Sequence, residues 1–296
     1  MVYCTQYIGG MALPLDRKKQ SRKRARATRR LRGGSRLFMM PFVRKRKSHV
    51  ATHIAGVPLV IYQSWTTNMI PPMMKQNMMK VVANNPQFNH FLYSHEKCRQ
   101  FIHDNYSKDV VDAFDGFKPG AFKSDLWRYC IMYKLGGVYM DVKFYPSVPL
   151  VDIINETPEV FIRDVVATNT DNSDMRCKTT TGLYNGFLVS PPNNPIFKDM
   201  IERVVENWKA KAYKDSMLNV TGPCLLGEIV RNHKGQEYID ELPFEFIGVE
   251  EDGVAMGNIL YNDETIVKQY PEYRLEQANT KAKHYSDSWK DKDIYM

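Results

Sequence analysis

Four charged residues in the segment FKSDLWRYCIMYKLGGVYMDVKFYP, residues 122–146, have types and spacings suited to binding chemistry. Asp125 and Arg128 are three residues apart, which would place them on one face of a helix. Asp141 and Lys143 are two residues apart, which would place them on one side of a strand. Carboxylates bind metal ions or accept hydrogen bonds from hydroxyl groups, and a lysine binds phosphate as a point charge. The alternative for each pair is a solvated ion pair with no binding role, worth roughly 0.2–0.5 kcal/mol on a helix.

The segment that carries these residues predicts a helix, a stop and a strand. Apolar residues in 122–133 recur at helical spacing, and Gly136-Gly137 ends the helix because glycine tolerates a left-handed backbone. The alternation in VYMDVKFY predicts one continuous strand over residues 138–145, with both of its charged residues on the same side. Ligands of open α/β sheets gather beyond the carboxyl ends of strands, so the charged pair falls where a ligand would bind.

Strands and helices alternate along the rest of the chain, which predicts an α/β fold with a mainly parallel sheet. The predicted strands are VPLVIYQSW, FNHFLYS, EVFIRDVVA and GLYNGFLVS, with shorter ones near FEFIGV and GNILYN before a polar tail. The predicted helices are PPMMKQNMMKVVANNP, a helix capped by Ser94, NPIFKDMIERVVENWKA and TGPCLLGEIVRNH. The simplest division is a basic arm over residues 1–54 and one domain over residues 55–296.

The basic arm carries most of the excess positive charge. Residues 17–47 hold 15 of the 41 Lys and Arg residues and no acid, so the rest of the chain has 26 basic residues against 33 acidic ones. Like charges and few apolar residues predict a disordered arm. Its composition leaves open a solubilising tail, nuclear targeting, nucleic-acid binding and attraction to an anionic membrane. Against nucleic-acid binding, the arm lacks interleaved aromatic residues and the body of the chain is acidic.

Cysteine usage and hydropathy favour a cytoplasmic over a secreted location. The five cysteines are odd in number, widely spaced and without a CxxC pair, so neither a zinc site nor a disulfide framework is predicted. A reducing compartment is the preferred setting. The sequence contains no apolar run of about 18 residues, so no transmembrane helix is predicted. The N-terminus makes a poor signal peptide. Association with a membrane surface through the arm stays open.

KSDLWRYCIMYKLGGVYMDVK, residues 123–143, resembles the signature of the glycosyltransferase family whose sugar-binding region contains a DXD motif. The family pattern is Ser-Asp or Ala-Asp, two residues, Arg-Tyr, a helix, Gly-Gly and then Tyr-x-Asp-x-Asp. The spacing of 16 residues between Asp125 and Asp141 is the family spacing. VPLVIYQSW, YNGFLVSPPNNPIF and HYSDSW resemble three other family segments, so the likeness covers residues 57–289. The family includes fungal α-mannosyltransferases and enzymes of capsular-polysaccharide synthesis.

The resemblance implies a GT-A fold, in which a Rossmann-like nucleotide-binding sheet merges with an acceptor-binding half. It implies transfer of a hexose, with retention of configuration, from a nucleotide-diphosphate sugar to a glycan, glycolipid or protein acceptor. The catalytic residues implied are Asp125, Arg128 and Asp141. The donor-binding residues implied are Trp65 beside the base, Asn185 and Gly186 near the sugar, and His284 and Trp289 at the diphosphate.

The motif departs from the family pattern at Lys143, which stands in place of the second acid. In the family, the two carboxylates hold Mn²⁺ or Mg²⁺ against the donor diphosphate. Three readings follow. Lys143 itself contacts the diphosphate, or Asp141 binds the metal with help from His284 or Asp287, or the protein binds sugar nucleotides without catalysis. A dehydrogenase is disfavoured, because no GxGxxG follows the first strand.

Overall fold

The computed structural model describes residues 52–169, 174, 176–178, 181–280 and 283–296. The basic arm, with its predicted disorder and its predicted nucleic-acid or membrane contacts, lies outside these residues. The division between residues 54 and 55 therefore stays a prediction. No helix in the described part of the chain is long and apolar enough to cross a bilayer.

The described residues form two main sheets surrounded by helices. The strands are β1 (His53–Ile54), β2 (Val57–Pro58), β3 (Val60–Trp65), β4 (Asn89–Ser94), β5 (Gly137–Met140), β6 (Phe144–Pro146), β7 (Arg163–Asp164), β8 (Phe187–Ser190), β9 (Phe244–Glu251), β10 (Val254–Tyr261) and β11 (Glu264–Gln269). The helices are α1 (Pro72–Asn84), α2 (His95–Asn105), α3 (Lys108–Gly116), α4 (Gly120–Leu135), α5 (Leu150–Glu156), α6 (Val165–Asn169), α7 (Pro195–Lys209), α8 (Pro223–Lys234), α9 (Gln236–Asp240), α10 (Tyr273–Asn279) and α11 (Tyr285–Lys290), with a 3₁₀ turn at Met217–Asn219.

The central sheet has four strands in the order β4-β3-β5-β8. β3 pairs in parallel with β4 and with β5, whereas β8 runs antiparallel to β5. Val138 and Met140 of β5 enter one hydrophobic core and Tyr139 enters another, so the sheet is buried on both faces. Burial on both faces is typical of parallel α/β sheets, in which helices cover the two sides. The predicted α/β class is confirmed.

The second sheet has five strands in the order β6-β11-β10-β9-β7, and all its pairings except β7 with β9 are antiparallel. The sequence pattern predicted parts of β9 and β10 but not this sheet, and it assigned β11, α10 and α11 to a polar tail. The chain passes from the central sheet to the second sheet between β5 and β6. That passage contains Asp141 and Lys143.

Helix α4 is buried on nearly all sides, because it packs between α2 and α7 against the central sheet. It ends at Leu135, where Gly136 and Gly137 have φ values of 63° and 105°. A side chain at Gly136 would also meet the backbone of Pro192, whose nitrogen would lie 2.5 Å from the added carbon. The predicted double-glycine stop is therefore confirmed, and it aims the following strand back along the sheet.

Two predicted strands are shorter than expected. The strand predicted over residues 138–145 ends at Met140, because the amide of Phe144 donates to the carbonyl of Asp141 (3.0 Å) and closes a turn. The strand predicted over residues 159–167 reduces to β7, because Asp164 caps α6 by accepting a hydrogen bond from the amide of Ala167 (2.8 Å). In each case, a polar side chain or a backbone turn prevails over the local apolar pattern.

Cys177 and Cys224 form a disulfide across 47 residues, with their Cα atoms 5.2 Å apart. The prediction of no disulfide was wrong. The pairing brings the loop after α6 to the first turn of α8, and spacing in the sequence carries no signal for such a contact. Cys98 and Cys130 are free and buried.

Candidate functional site

Helix α4 places Asp125 and Arg128 inside the protein rather than on its surface. Their exposed fractions are 9% and 6%, which excludes the solvated ion pair that their spacing alone also allowed. Nη2 of Arg128 lies 3.3 Å from Oδ1 of Asp125. A buried pair of this kind persists only when other groups satisfy the remaining donors and acceptors.

Those groups come from two distant parts of the chain. Nδ2 of Asn185 donates to Oδ1 of Asp125 (3.0 Å), and the hydroxyl of Thr221 donates to Oδ2 (2.6 Å). The carbonyl of Asn185 accepts a hydrogen bond from Nη1 of Arg128 (2.7 Å). Burial raises the pKa of Asp125 to about 6, although the charge of Arg128 and the bonds from Thr221 and Asn185 oppose the shift. Asn185 thus links the carboxylate and the guanidinium.

The guanidinium of Arg128 also reaches the second acidic residue. It stacks over the ring of Tyr139 at 4.6 Å, and its Nη2 lies 3.5 Å from Oδ1 of Asp141. Nε of Arg128 is buried and has no hydrogen-bond partner among the described residues. The guanidinium is therefore fixed between two carboxylates, with one donor still unused.

Asp141 follows the carboxyl end of β5, the position at which α/β sheets bind ligands. Its amide donates to the carbonyl of Gly186 (2.8 Å), and Oδ1 accepts a hydrogen bond from the hydroxyl of Tyr139 (2.8 Å). Burial opposes its ionisation, but the charges of Arg128 and Lys143 and the bond from Tyr139 hold the pKa of Asp141 below its usual range. Asp141 is thus a stable anion in the site.

Position 186 has no room for a side chain, because Asp141 fills the space beside Gly186. An added Cβ would lie 2.6 Å from Oδ2 of Asp141 and would also overlap the hydroxyl of Tyr184. Such distances are far below van der Waals contact, so the backbone of Gly186 can approach Asp141 only as glycine. Asn185 and Gly186, predicted near the donor sugar, lie at the site.

Lys143 projects beside Asp141 from the turn. Its Nζ lies 3.5 Å from Oδ2 of Asp141, and 5.1, 5.5 and 5.8 Å from the ring centroids of Phe144, Tyr184 and Tyr273. The predicted proximity of Lys143 and Asp141 is confirmed, although a turn rather than a strand produces it. Aromatic faces attract a cation without neutralising it.

The residues around Asp141 do not fit a divalent metal ion held by paired carboxylates. Mg²⁺ and Mn²⁺ prefer oxygen ligands, and Asp141 is flanked by the cations of Arg128 and Lys143 instead of by a second acid. Among the described residues, no group of three or more His, Cys, Asp or Glu side chains could hold a metal ion. His284, the predicted helper, donates to or accepts from Ser286 (2.6 Å) at the start of α11.

Trp65 and Trp289 occupy different surroundings. Trp65 ends β3, next in the sheet to β5, and packs against the small core that includes Met74 and Val142. Trp289 is buried, and its indole nitrogen donates to the carbonyl of Tyr213 (2.8 Å). Its predicted role at the diphosphate, like the roles of Trp65 and His284, stays a prediction.

Four residues of the site were missed or undervalued in the sequence. Thr221 stood only in a segment predicted as a helix, Tyr139 and Tyr184 only in predicted strands, and Tyr273 in the polar tail. The TGP triplet before α8 could have indicated Thr221 as a site residue, because a threonine that precedes a helix can point its hydroxyl away from that helix. Tyr139 and Tyr184 gave no signal, since aromatic residues in predicted strands are usually core.

The comparisons with known proteins agree with this geometry. Residues 71–160 match the family model described as a glycosyltransferase sugar-binding region containing a DXD motif. The chain is 26% identical over 183 residues to inositol phosphoceramide mannosyltransferase 2 of Schizosaccharomyces pombe, which covers 61% of this chain and 48% of that protein. It is 24% identical over 172 residues to the putative glycosyltransferase HOC1 of Saccharomyces cerevisiae, which covers 55% of this chain and 43% of that protein. The chain thus spans about half the length of these relatives.

A solved structure is also similar in part. It is the PaToxG glycosyltransferase, at 14% identity and a TM-score of 0.42, with 60% of this chain and 69% of that chain covered.

The expectation of a cytoplasmic location was wrong. A matched relative is named for the mannosylation of inositol phosphoceramide, a membrane lipid, rather than for a cytoplasmic acceptor. The disulfide between Cys177 and Cys224 agrees with this correction, because such bonds are rare in reducing compartments.

The match over residues 71–160 contains α4, β5 and the turn that follows, which carry Asp125, Arg128, Asp141 and Lys143. The mannosyltransferase relatives extend the likeness beyond that region. Through these residues, the chain is similar to the glycosyltransferase family whose sugar-binding region contains a DXD motif.

Proposed function

We propose that the protein transfers a hexose from a nucleotide-diphosphate sugar to a hydroxyl group of a lipid or glycan acceptor. The observation that carries the proposal is the buried network that joins Asp125, Arg128 and Asn185 to Asp141 at the carboxyl end of β5. Such a network holds several polar groups in fixed positions at the edge of the sheet where nucleotides bind. The named activity of the matched mannosyltransferase makes mannose the first sugar to test.

In this proposal, the acceptor oxygen forms a bond to the anomeric carbon, and the bond from that carbon to the donor phosphate oxygen breaks. The electron pair leaves with the nucleoside diphosphate, and the proton of the acceptor hydroxyl passes to the released phosphate. Asp125 positions Arg128 and Asn185 and offers its remaining lone pairs to donor hydroxyls. Asp141 fixes the cations that face the leaving group. Retention of configuration is part of the proposal.

The test is a panel of GDP-mannose, UDP-glucose and UDP-galactose, with release of nucleoside diphosphate and the anomeric form of the product as readouts. Asp125→Asn and Arg128→Gln should abolish release from the accepted donor. A folded protein that binds no donor under any condition would refute the proposal. Binding without turnover, with or without a glycosylinositol lipid or a mannose-containing acceptor, would favour the alternative of a non-catalytic sugar-nucleotide binder.

A further inference from the structure

The ammonium group of Lys143 is held in place by one long ion pair and by three aromatic rings. Its single ion-pair partner among the described residues is Asp141, at the long distance of 3.5 Å, and its other close neighbours are the rings of Phe144, Tyr184 and Tyr273. An ammonium has three N–H donors, and aromatic faces accept none of them strongly. About 19% of the Lys143 side chain is exposed, so its unused donors can reach a ligand.

Arg128 supplies a second cation with the same relation to Asp141. Its Nη2 lies 3.5 Å from Oδ1, opposite the oxygen that faces Lys143. Asp141 therefore stands between the two cations, and Arg128 pairs with Asp125 as well, at 3.3 Å. Nε of Arg128 is buried, and no described residue is its hydrogen-bond partner, which is uncommon for so polar a group in a folded protein.

This inference rests on the proposed function and concerns the ligand of the same site. We infer that Lys143 and Arg128 bind the donor diphosphate directly and take the place of the divalent cation that a second acidic residue would hold. Asp141 then acts as a positioning residue that separates the two cations, and not as a metal ligand. Lysine and arginine bind phosphate oxygens through charge-assisted hydrogen bonds, which are the strong ones. The positive charge that stabilises the leaving group is thus part of the chain.

The test measures the binding of UDP and GDP to the full chain by calorimetry, in EDTA and in Mn²⁺. Wild type should bind at least one of them with a dissociation constant that changes less than about threefold between the two conditions. Lys143→Gln should weaken that binding at least tenfold in EDTA, and Lys143→Arg should restore most of it. Lys143→Asp, which recreates the paired acids, should bind only when Mn²⁺ is present. Lys211→Ala is the matched control, because Lys211 also lies over two aromatic rings, those of Trp208 and Tyr295.

The outcomes distinguish failure of the inference from failure of the proposed function. Binding by wild type only in Mn²⁺ would overturn the inference and leave the proposed function intact. Equal affinities of wild type and Lys143→Gln in EDTA would also overturn it. A wild-type chain that binds neither nucleotide nor any donor of the panel would refute both. Thermal melting of each variant separates loss of the site from loss of the fold.

Discussion

Thr221 donates a hydrogen bond of 2.6 Å to Oδ2 of Asp125, a residue 96 positions earlier in the chain. The carbonyl of Thr221 also accepts a hydrogen bond from the hydroxyl of Tyr129 (2.8 Å), so the chain before α8 is fixed to α4 at two points. Because Asn185 donates to the other oxygen of Asp125, both carboxylate oxygens are occupied. Three segments that are distant in sequence thus meet at one buried carboxylate.

Thr221→Val should weaken both the fold and the activity. Valine has nearly the shape of threonine but cannot donate, so Oδ2 of Asp125 loses its shortest hydrogen bond. The free energy of unfolding should fall by about 1–3 kcal/mol, the cost of leaving a buried acceptor without its donor. Donor kcat/KM should fall at least tenfold, as for the loss of a group that fixes the site (about 1.4 kcal/mol). Urea denaturation and steady-state kinetics measure the two effects.

Thr221→Ser keeps the hydroxyl and should retain most of the stability and most of the activity. Equal losses in Thr221→Ser and Thr221→Val would show that the methyl group matters instead.

Gly186→Ala should abolish donor binding. Its Cβ would displace Asp141, whose Oδ2 would lie 2.6 Å away, and would overlap Tyr184. Gly248→Ala is the control, because its Cβ would meet only Val166 at an ordinary 3.7 Å. Calorimetry with the accepted nucleotide sugar compares the two variants. Unchanged affinity in Gly186→Ala would mean that Asp141 can move without loss of the site.

The parts of this site that sequence could predict are those fixed by local physics. The helix with Asp125 and Arg128, the double-glycine stop and the position of Asp141 after a strand depend on neighbours within a few residues. Lys143 lies beside Asp141 as expected, but for another reason: the amide of Phe144 donates to the carbonyl of Asp141 and closes a turn where a continuous strand was predicted.

Non-local partners set the rest. Thr221 reaches Asp125 only because α8 packs beside the chain segments that surround α4, and no period in the sequence encodes that contact. The pair Cys177 and Cys224 gave no signal for the same reason. The second sheet was missed because β11, ETIVKQ, has too many polar residues to be predicted as a strand from its own sequence. Its pairing with β10 and β6 makes it a strand.

The stability of the protein should depend on pH through Asp125. Its pKa is about 6 in the fold against 3.8 ordinarily. Between these values, the folded chain holds a proton that the unfolded chain has released, so stability falls as pH rises, and the full cost is present above about pH 6. Asp125→Asn should remove up to about 3 kcal/mol of the difference in unfolding free energy between pH 4 and pH 7. Urea titrations at both pH values test this, with Asp215→Asn, an exposed carboxylate, as control. A wild-type profile that the Asn variant reproduces would contradict the assignment.

Reduction should loosen the site as well as the fold. The disulfide closes a loop of 47 residues, for which the chain-entropy model gives about 4 kcal/mol of stabilisation. Cys224 also lies three residues after Thr221, so a freed α8 should disturb Asp125. We expect Cys177→Ser to lower the melting temperature and the donor affinity, and dithiothreitol to do the same to wild type. Added reductant should have no further effect on Cys177→Ser; a further loss there would point to another oxidised pair.

Glu276 should help to hold the Lys143 ammonium in place by fixing helix α10. Its two carboxylate oxygens accept hydrogen bonds from the amides of Met73 (2.8 Å) and Met74 (2.9 Å), at the start of α1, where Pro71 provides no side-chain cap. Capping from another helix fixes α10 to α1, and α10 carries Tyr273, whose ring lies 5.8 Å from Nζ of Lys143. Glu276→Ala should therefore free the Tyr273 ring beside the ammonium and weaken nucleoside diphosphate binding by roughly twofold to fivefold, since an exposed cation–aromatic contact contributes about 0.5–1 kcal/mol.

Four further variants show whether Glu276 acts by positioning the Tyr273 ring or through its own charge. Glu276→Gln keeps one acceptor for the α1 amides and should lose less affinity than Glu276→Ala. Gln277→Ala, the next residue of α10, is exposed and should leave affinity unchanged. Tyr273→Phe keeps the ring over Lys143 and should bind like wild type, whereas Tyr273→Ala should match Glu276→Ala if the position of that ring is what Glu276 preserves. Full affinity in Tyr273→Ala together with reduced affinity in Glu276→Ala would instead assign the effect of Glu276 to α1, whose Asn77 donates to the carbonyls of Val142 and Phe144 on either side of Lys143.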